Sequence, residues 1–181
     1  MKKNLFEIPI FKISCSNWKQ KKKKLDPIIN KHKLSRKNFN TFYTSKGGCL
    51  TGRGINDNFA DNFTKIFQEE FQLFGQSFQY QKLTIKDIWV VAYEKHDYQV
   101  PHQHGPLHWS GILYHDYVPE QPATVFIQPW HSFATHGYTN LKSLETKEGD
   151  IVFFPSFLLH FCPTNPLKKI RKVVSWDLEC E

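Results

Sequence analysis

Phenylalanine recurs every three or four residues beyond Asp57, at Phe59, Phe63, Phe67, Phe71, Phe74 and Phe78, with Asp61, Lys65, Glu69 and Glu70 between. Apolar residues at that period share one face of a helix. A strongly amphipathic helix is expected there, its phenylalanine stripe packed on a sheet rather than kept for a ligand. After residue 82 the period becomes that of strands. LTIKDIWVVAYEK, HWSGILYHDYV, ATVFIQPW, GDIVFFP and IRKVVSWDLE are short runs rich in β-branched and aromatic residues, separated by Gly, Pro and polar clusters. Several strands without helices between them indicate an antiparallel sandwich or barrel. Near the start, LFEIPIFKI reads as a first strand that Pro9 confines to a sheet edge. KGGCLTGRG reads as a glycine-rich turn or loop. The expected architecture is mainly β with N-terminal helices, ending in a jelly roll. It forms a single domain over 1–181, with the first strand, basic segment and supporting helix in 1–81 and the jelly-roll core in 82–181.

Composition narrows the class. A chain of 181 residues is long enough for one domain with a sizeable core, and 16 Phe and 5 Trp supply volume to fill it. No run approaches the roughly 20 apolar residues of a membrane-spanning helix, so no membrane role is expected. MKKNLFEIPIF lacks the apolar stretch and cleavage site of a secretory signal. Cys15, Cys49, Cys162 and Cys180 include no CxxC pair, which suits free thiols in a reducing, cytoplasmic compartment. The net charge of +7 raises nucleic acid as a partner. Lys19 and Lys21 to Lys24 carry five of those charges, however, and without them the balance is an ordinary +2. WKQKKKK is then a solvated surface segment, or else a local anchor for an acidic partner.

The candidate chemistry lies in the strand half. PHQHGPLHWSG places His102, His104 and His108 close together. Residues two apart on a strand point to one face, so His102 and His104 can address one metal. Alone, such a pair says little, because two imidazoles bind weakly. GDIVFFPSFLLHFCP adds a tight-turn pair at Gly149-Asp150, an apolar run, and a strand that ends at His160 among apolar neighbours. A histidine there must be hydrogen-bonded and neutral, or liganded. The three together would make a facial site with three positions left for water, substrate and oxygen. In IRKVVSWDLE, Arg171, Val173 and Ser175 alternate with Ile170, Lys172, Val174 and Trp176. Arg171 is either a surface residue of KKIRK or faces the barrel, where its guanidinium could hold a carboxylate through two parallel bonds.

The order LFEIPIF, GG, long helix, HQHGPLHWSGILYH, EGDIVFFPSFLLHFCP, IRKVVSW resembles a family of 2-oxoglutarate and Fe(II)-dependent oxygenases, found in phages and marine bacteria and related to prolyl hydroxylases. The resemblance runs from Leu5 to about Leu178 and is most specific over His102 to Tyr114 and Gly149 to Arg171. It implies a double-stranded β-helix, with Fe(II) on His102, His104 and His160 and with Arg171 gripping the far carboxylate of 2-oxoglutarate. Ser110, Tyr114 and Ser175 would help to line the co-substrate pocket, although Ser110 and Tyr114 read equally as core residues. The implied activity is hydroxylation coupled to decarboxylation of 2-oxoglutarate to succinate, with molecular oxygen consumed. The substrate, a protein side chain, nucleobase or small metabolite, leaves no readable code. The location would be the cytoplasm, the host's if phage-encoded, and an exposed first strand would allow a homodimer.

Two features depart from the commonest pattern. His104 stands where most such oxygenases have Asp or Glu, and no HxD or HxE precedes His160. A third neutral ligand leaves Fe(II) its full charge and should disfavour Fe(III). The spacing also resembles the metal motifs of cupins, with His108 in place of their glutamate. Cupins share the fold, and they keep open a metal enzyme without 2-oxoglutarate or a non-catalytic binding module. Gly105 and Pro106 should bend the chain before His108, making it a contact behind the ligands or to substrate. His96, His115, His131 and His136 read as surface or loop histidines, and QPWHSFATHGYTN as a lip over the site.

Overall fold

The computed structural model describes residues 7–31, 34, 50–52, 58–130 and 140–181. Among these, β1 (Phe11–Ser14), α1 (Trp18–Ile29), β2 (Leu50–Gly52), α2 (Phe59–Ile66) and α3 (Gln68–Phe78) precede the strand-rich part. There follow β3 (Leu83–Tyr93), β4 (Gln99–His102), β5 (Trp109–Asp116), β6 (Val125–Ile127), β7 (Leu141–Ser143), β8 (Asp150–Pro155), β9 (His160–Cys162) and β10 (Arg171–Cys180). The strands form two antiparallel sheets, a major one in the order β1-β8-β5-β10-β3-β2 and a minor one in the order β4-β9-β6-β7. This is the expected jelly roll, with the N-terminal helices on the outer face of the major sheet. β1 lies at that sheet's edge, beginning two residues after Pro9.

Strand alternation divides the apolar residues into two clusters. On one face of β10, Val174 and Trp176 meet Phe63, Phe67, Phe71 and Phe74 from the helices. On the other, Val173 joins Trp89, Val91, Ile112, Tyr114 and Phe154 between the sheets. Each such side chain contributes about 1.5–3 kcal/mol by leaving water. Trp176, with no exposed surface, lies 5.0 Å from the Phe63 ring and 5.5 Å from that of Phe153. It crosses β5 at Gly111, where a Cβ would stand 2.1 Å from the indole. Only glycine admits the ring.

Several expectations change. The phenylalanine stripe spans two helices, because Phe67 leaves helical geometry (φ −108°, ψ 26°) and ends α2 as it starts α3. The Phe71 N–H still donates to the Phe67 carbonyl at 3.1 Å, so the stripe continues through the break and its period alone does not reveal it. WKQKKKK is the first half of α1, not a uniformly solvated run. Lys19, Lys23 and Lys24 are exposed, whereas Lys21 pairs with Glu70 at 2.6 Å and Lys22 with Asp116 at 2.7 Å and Glu148 at 2.8 Å. His115 is buried on β5, its Nε2 2.8 Å from Asp26 Oδ1, and is no surface histidine. Leu50–Gly52 of KGGCLTGRG pair with β3 as a strand. The rest of that segment, with His131, His136 and most of the supposed lip, lies outside the described residues. Among the described residues no helix is long and apolar enough to cross a membrane, and Cys15, Cys162 and Cys180 are free.

Candidate metal centre

The strand expected to end at His160 instead stops at Pro155, and residues 156–159 turn the chain over to the minor sheet. The Leu158 N–H closes that turn on the Pro155 carbonyl at 2.9 Å. His160 therefore opens β9. There it stands directly opposite His102 of β4, and paired residues share a face. Their ring centroids are 4.3 Å apart. His104 lies just past the end of β4, tethered by its N–H to the Ser156 carbonyl at 2.9 Å. Its ring centroid is 5.3 Å from that of His102 and 5.0 Å from that of His160. One ring nitrogen of each histidine lies within 4.8 Å of the other two.

Each ring is turned by its other nitrogen. Nδ1 of His102 donates to the Val100 carbonyl at 2.9 Å, and Nδ1 of His160 to the Leu158 carbonyl at 2.8 Å. Nδ1 of His104 donates to the Asp177 carboxylate at 2.6 Å. Each Nδ1 is thereby engaged, so the neutral form of each ring has its lone pair on Nε2, the arrangement that fixes tautomer and aim in histidine-ligated sites. Burial, followed by the neighbouring imidazoles, pushes the His160 pKa well below its ordinary value. The ring is neutral, as a ligand must be.

The same cavity extends to Arg171, which is 1% exposed. Its guanidinium lies 4.8 Å from the Tyr93 ring and 5.5 Å from the Tyr114 ring. Nη2 donates to Thr124 Oγ1 at 3.4 Å and Nη1 to the Cys162 thiol, while Nε has no partner. Among the described residues no carboxylate pairs with this cation. A buried charge without a counter-ion costs several kcal/mol, so this end of the cavity is built for an anion. Three clustered imidazoles at one end and a guanidinium with no carboxylate partner among the described residues at the other suit a divalent metal and an anionic ligand.

The structure sorts the remaining candidates. Ser175 lines the cavity between Arg171 and the histidines. Ser110 and Tyr114 share the inward face of β5 but stand at its two ends. The Tyr114 hydroxyl accepts from the Thr124 N–H at 3.2 Å beside Arg171, and Ser110 Oγ lies 3.1 Å from His104 Nδ1. His108 is exposed and turned away, its Nδ1 accepting from the Cys180 N–H at 2.9 Å. Gly105, with φ +83°, makes the turn that separates it from His104. The cupin-like fourth ligand is thus absent from the cluster.

Sequence reasoning missed three side chains. Gln99, opposite Cys162 in the β4–β9 ladder, has its amide nitrogen 3.3 Å from His102 Nε2 and accepts from the Tyr93 hydroxyl at 2.7 Å. Thr124 meets Arg171 from the loop before β6. Asp177 was legible in principle, since the alternation that turns Arg171, Val173 and Ser175 inward reaches it next.

Comparisons with known proteins agree with this geometry. A model of the family described as "Putative 2OG-Fe(II) oxygenase" matches residues 87–177. No curated protein sequence matches the chain. Among solved structures, the α-ketoglutarate-dependent epimerase SnoN from nogalamycin biosynthesis has a TM-score of 0.70 at 12% identity, over 94% of this chain and 77% of its own. A Pseudomonas putida prolyl-4-hydroxylase reaches 0.61 at 13% identity, over 95% and 93%. HygX from Streptomyces hygroscopicus, with nickel, 2-oxoglutarate and hygromycin B bound, reaches 0.65 at 10% identity, over 95% and 83%. At such identities the likeness is one of fold, the double-stranded β-helix. The family match spans half of the 181 residues and takes in all three clustered histidines and Arg171, and on that ground the chain belongs to the 2OG-Fe(II) oxygenase family.

Proposed function

We propose that the chain is an Fe(II)- and 2-oxoglutarate-dependent dioxygenase that hydroxylates a C–H bond of its substrate. 2-Oxoglutarate would be decarboxylated to succinate as molecular oxygen is consumed. One observation carries the reading: the three histidines and the unpaired Arg171 share a single cavity. His102, His104 and His160 would hold the iron, which supplies the oxygen-activating chemistry when bound. Arg171 would take the distal carboxylate of 2-oxoglutarate, with Thr124 and Ser175 as hydroxyl neighbours. Tyr93 and Tyr114 lie against the planar guanidinium and screen it from water. Gln99 holds its amide nitrogen 3.3 Å from His102 Nε2, beside the position the metal would take. His108 has no part in this arrangement.

The test is anaerobic addition of 2-oxoglutarate to Fe(II)-loaded protein, followed by visible absorption. A metal-to-ligand charge-transfer band, lost in His102→Ala and His160→Ala, is the expected result. Bound iron without such a band would remove 2-oxoglutarate from the reaction. Succinate formed together with a product heavier by one oxygen would separate hydroxylation from other outcomes within the fold.

A further inference from the structure

The third imidazole leaves a puzzle that the structure addresses through Asp177. We propose that Asp177 is the positioning residue for His104 and restores, one bond further out, the negative charge that a carboxylate ligand would have given the metal. The inference rests on the oxygenase reading of the histidine cluster. Asp177 is 7% exposed, and its Oδ1 accepts from His104 Nδ1 at 2.6 Å and from Ser110 Oγ at 2.9 Å. Ser110 is itself backed by Ser156 Oγ at 2.9 Å, whose residue also holds the His104 backbone N–H. Every contact around the ring thus points Nε2 into the cavity.

The placement is specific to this end of β10. Asp177 faces Ser110 on β5 and Asp87 on β3 in the strand ladders, so a second carboxylate stands beside it. Neither Lys nor Arg pairs with Asp177 among the described residues, and the donors on it are an imidazole and a hydroxyl. A carboxylate so placed has no better partner than a ring that donates strongly to a cation on its far side. A metal on Nε2 draws electron density from the imidazole, and the anion at Nδ1 replaces it, making the ligand more basic.

The experiment measures Ni(II) affinity by calorimetry and the Fe(II)–2-oxoglutarate band by anaerobic absorption, in wild type, Asp177→Asn, His104→Asp and the double variant. Asparagine keeps the shape and an acceptor oxygen but removes the charge. Asp177→Asn should weaken Ni(II) about ten- to a hundredfold, the usual cost of losing such a partner. It should also move the band to shorter wavelength, because the iron is harder to oxidise. In the His104→Asp background the loss should shrink to little or nothing, because the imidazole through which Asp177 acts is gone. Loss of equal size in both backgrounds would mean a merely structural role, and unchanged affinity in both would mean no role. Either overturns the proposal. Absence of the band in wild type would defeat the oxygenase reading instead, while the Ni(II) comparison would still decide the part played by Asp177.

Discussion

Two positions separate His102 from His104, yet their rings are held by unrelated means, a carbonyl two residues back in one case and a carboxylate 73 residues on in the other. The pair is therefore not two equal halves of a motif. Removing His160, which is buried and opposite His102, should abolish metal binding, as metal analysis of His160→Ala will show. Arg171 acts at the other end of the cavity. Arg171→Ala should leave metal content intact and raise the 2-oxoglutarate concentration needed for half-saturation roughly 30-fold or more, since truncating a buried charge partner costs about 2 kcal/mol or beyond. Unchanged saturation would dismiss the guanidinium as the carboxylate partner. At this scale His160 could be read in the sequence because it interrupts apolar neighbours, His102 and His104 because they stand two apart, and Arg171 only through the family resemblance. Gln99 and Thr124 could not, since a polar residue at a strand end or in a loop looks like solvent-facing chain until the fold closes over it.

Among the elements, β10 connects the core and the site, and its alternation was legible because both faces are buried and differ in chemistry. The break at Phe67 was not, because the side-chain spacing passes through it unchanged. Nor was the docking of α1, since like charges in a row carry no trace of the Glu70, Asp116 and Glu148 carboxylates that meet them far along the chain. Two tests belong here. Gly111→Ala should lower stability by about 1–3 kcal/mol, the usual cost of overpacking, read as a drop in melting temperature. Acid should loosen α1. Lys22, His115 and Lys172 hold the partly buried Asp116 below the usual carboxylate range despite its desolvation, and Lys22 and Trp18 do the same for Glu148. Carboxylates depressed in the folded state stabilise it above their unfolded pKa, near 4, and that contribution fades as pH falls through the folded values. Melting temperature should then hold from about pH 7 to 5 and decline below about 4. The decline should be shallower in Lys22→Met. An identical acid profile in that variant would mean that these pairs do not clamp the helix.

For the molecule as a whole, the jelly roll followed from the strand periods and their turn residues, but the assignment of strands to sheets did not. β4, β7 and β9 are three or four residues long, too short for a period to declare itself. Those short strands build the minor sheet, which carries His102 and His160, while Arg171 belongs to the major sheet. Ligands that bind only the folded state raise its stability by about 2.7 kcal/mol at a hundred times their Kd. Under anaerobic conditions Ni(II) and 2-oxoglutarate together should raise the melting temperature by more than the sum of their separate effects, and simple additivity would argue against a shared cavity.

The division of the site between sheets has a consequence for turnover. Under the proposed function, a five-carbon diacid held through the metal at one end and by Arg171 at the other would be a strut across the sandwich. Decarboxylation would remove the carboxylate at the metal end, so the product would lose its two-point hold there while its far carboxylate could still meet Arg171. The protein would thus tell spent co-substrate from fresh by its chelating end, and succinate would leave because the metal holds it at one point instead of two.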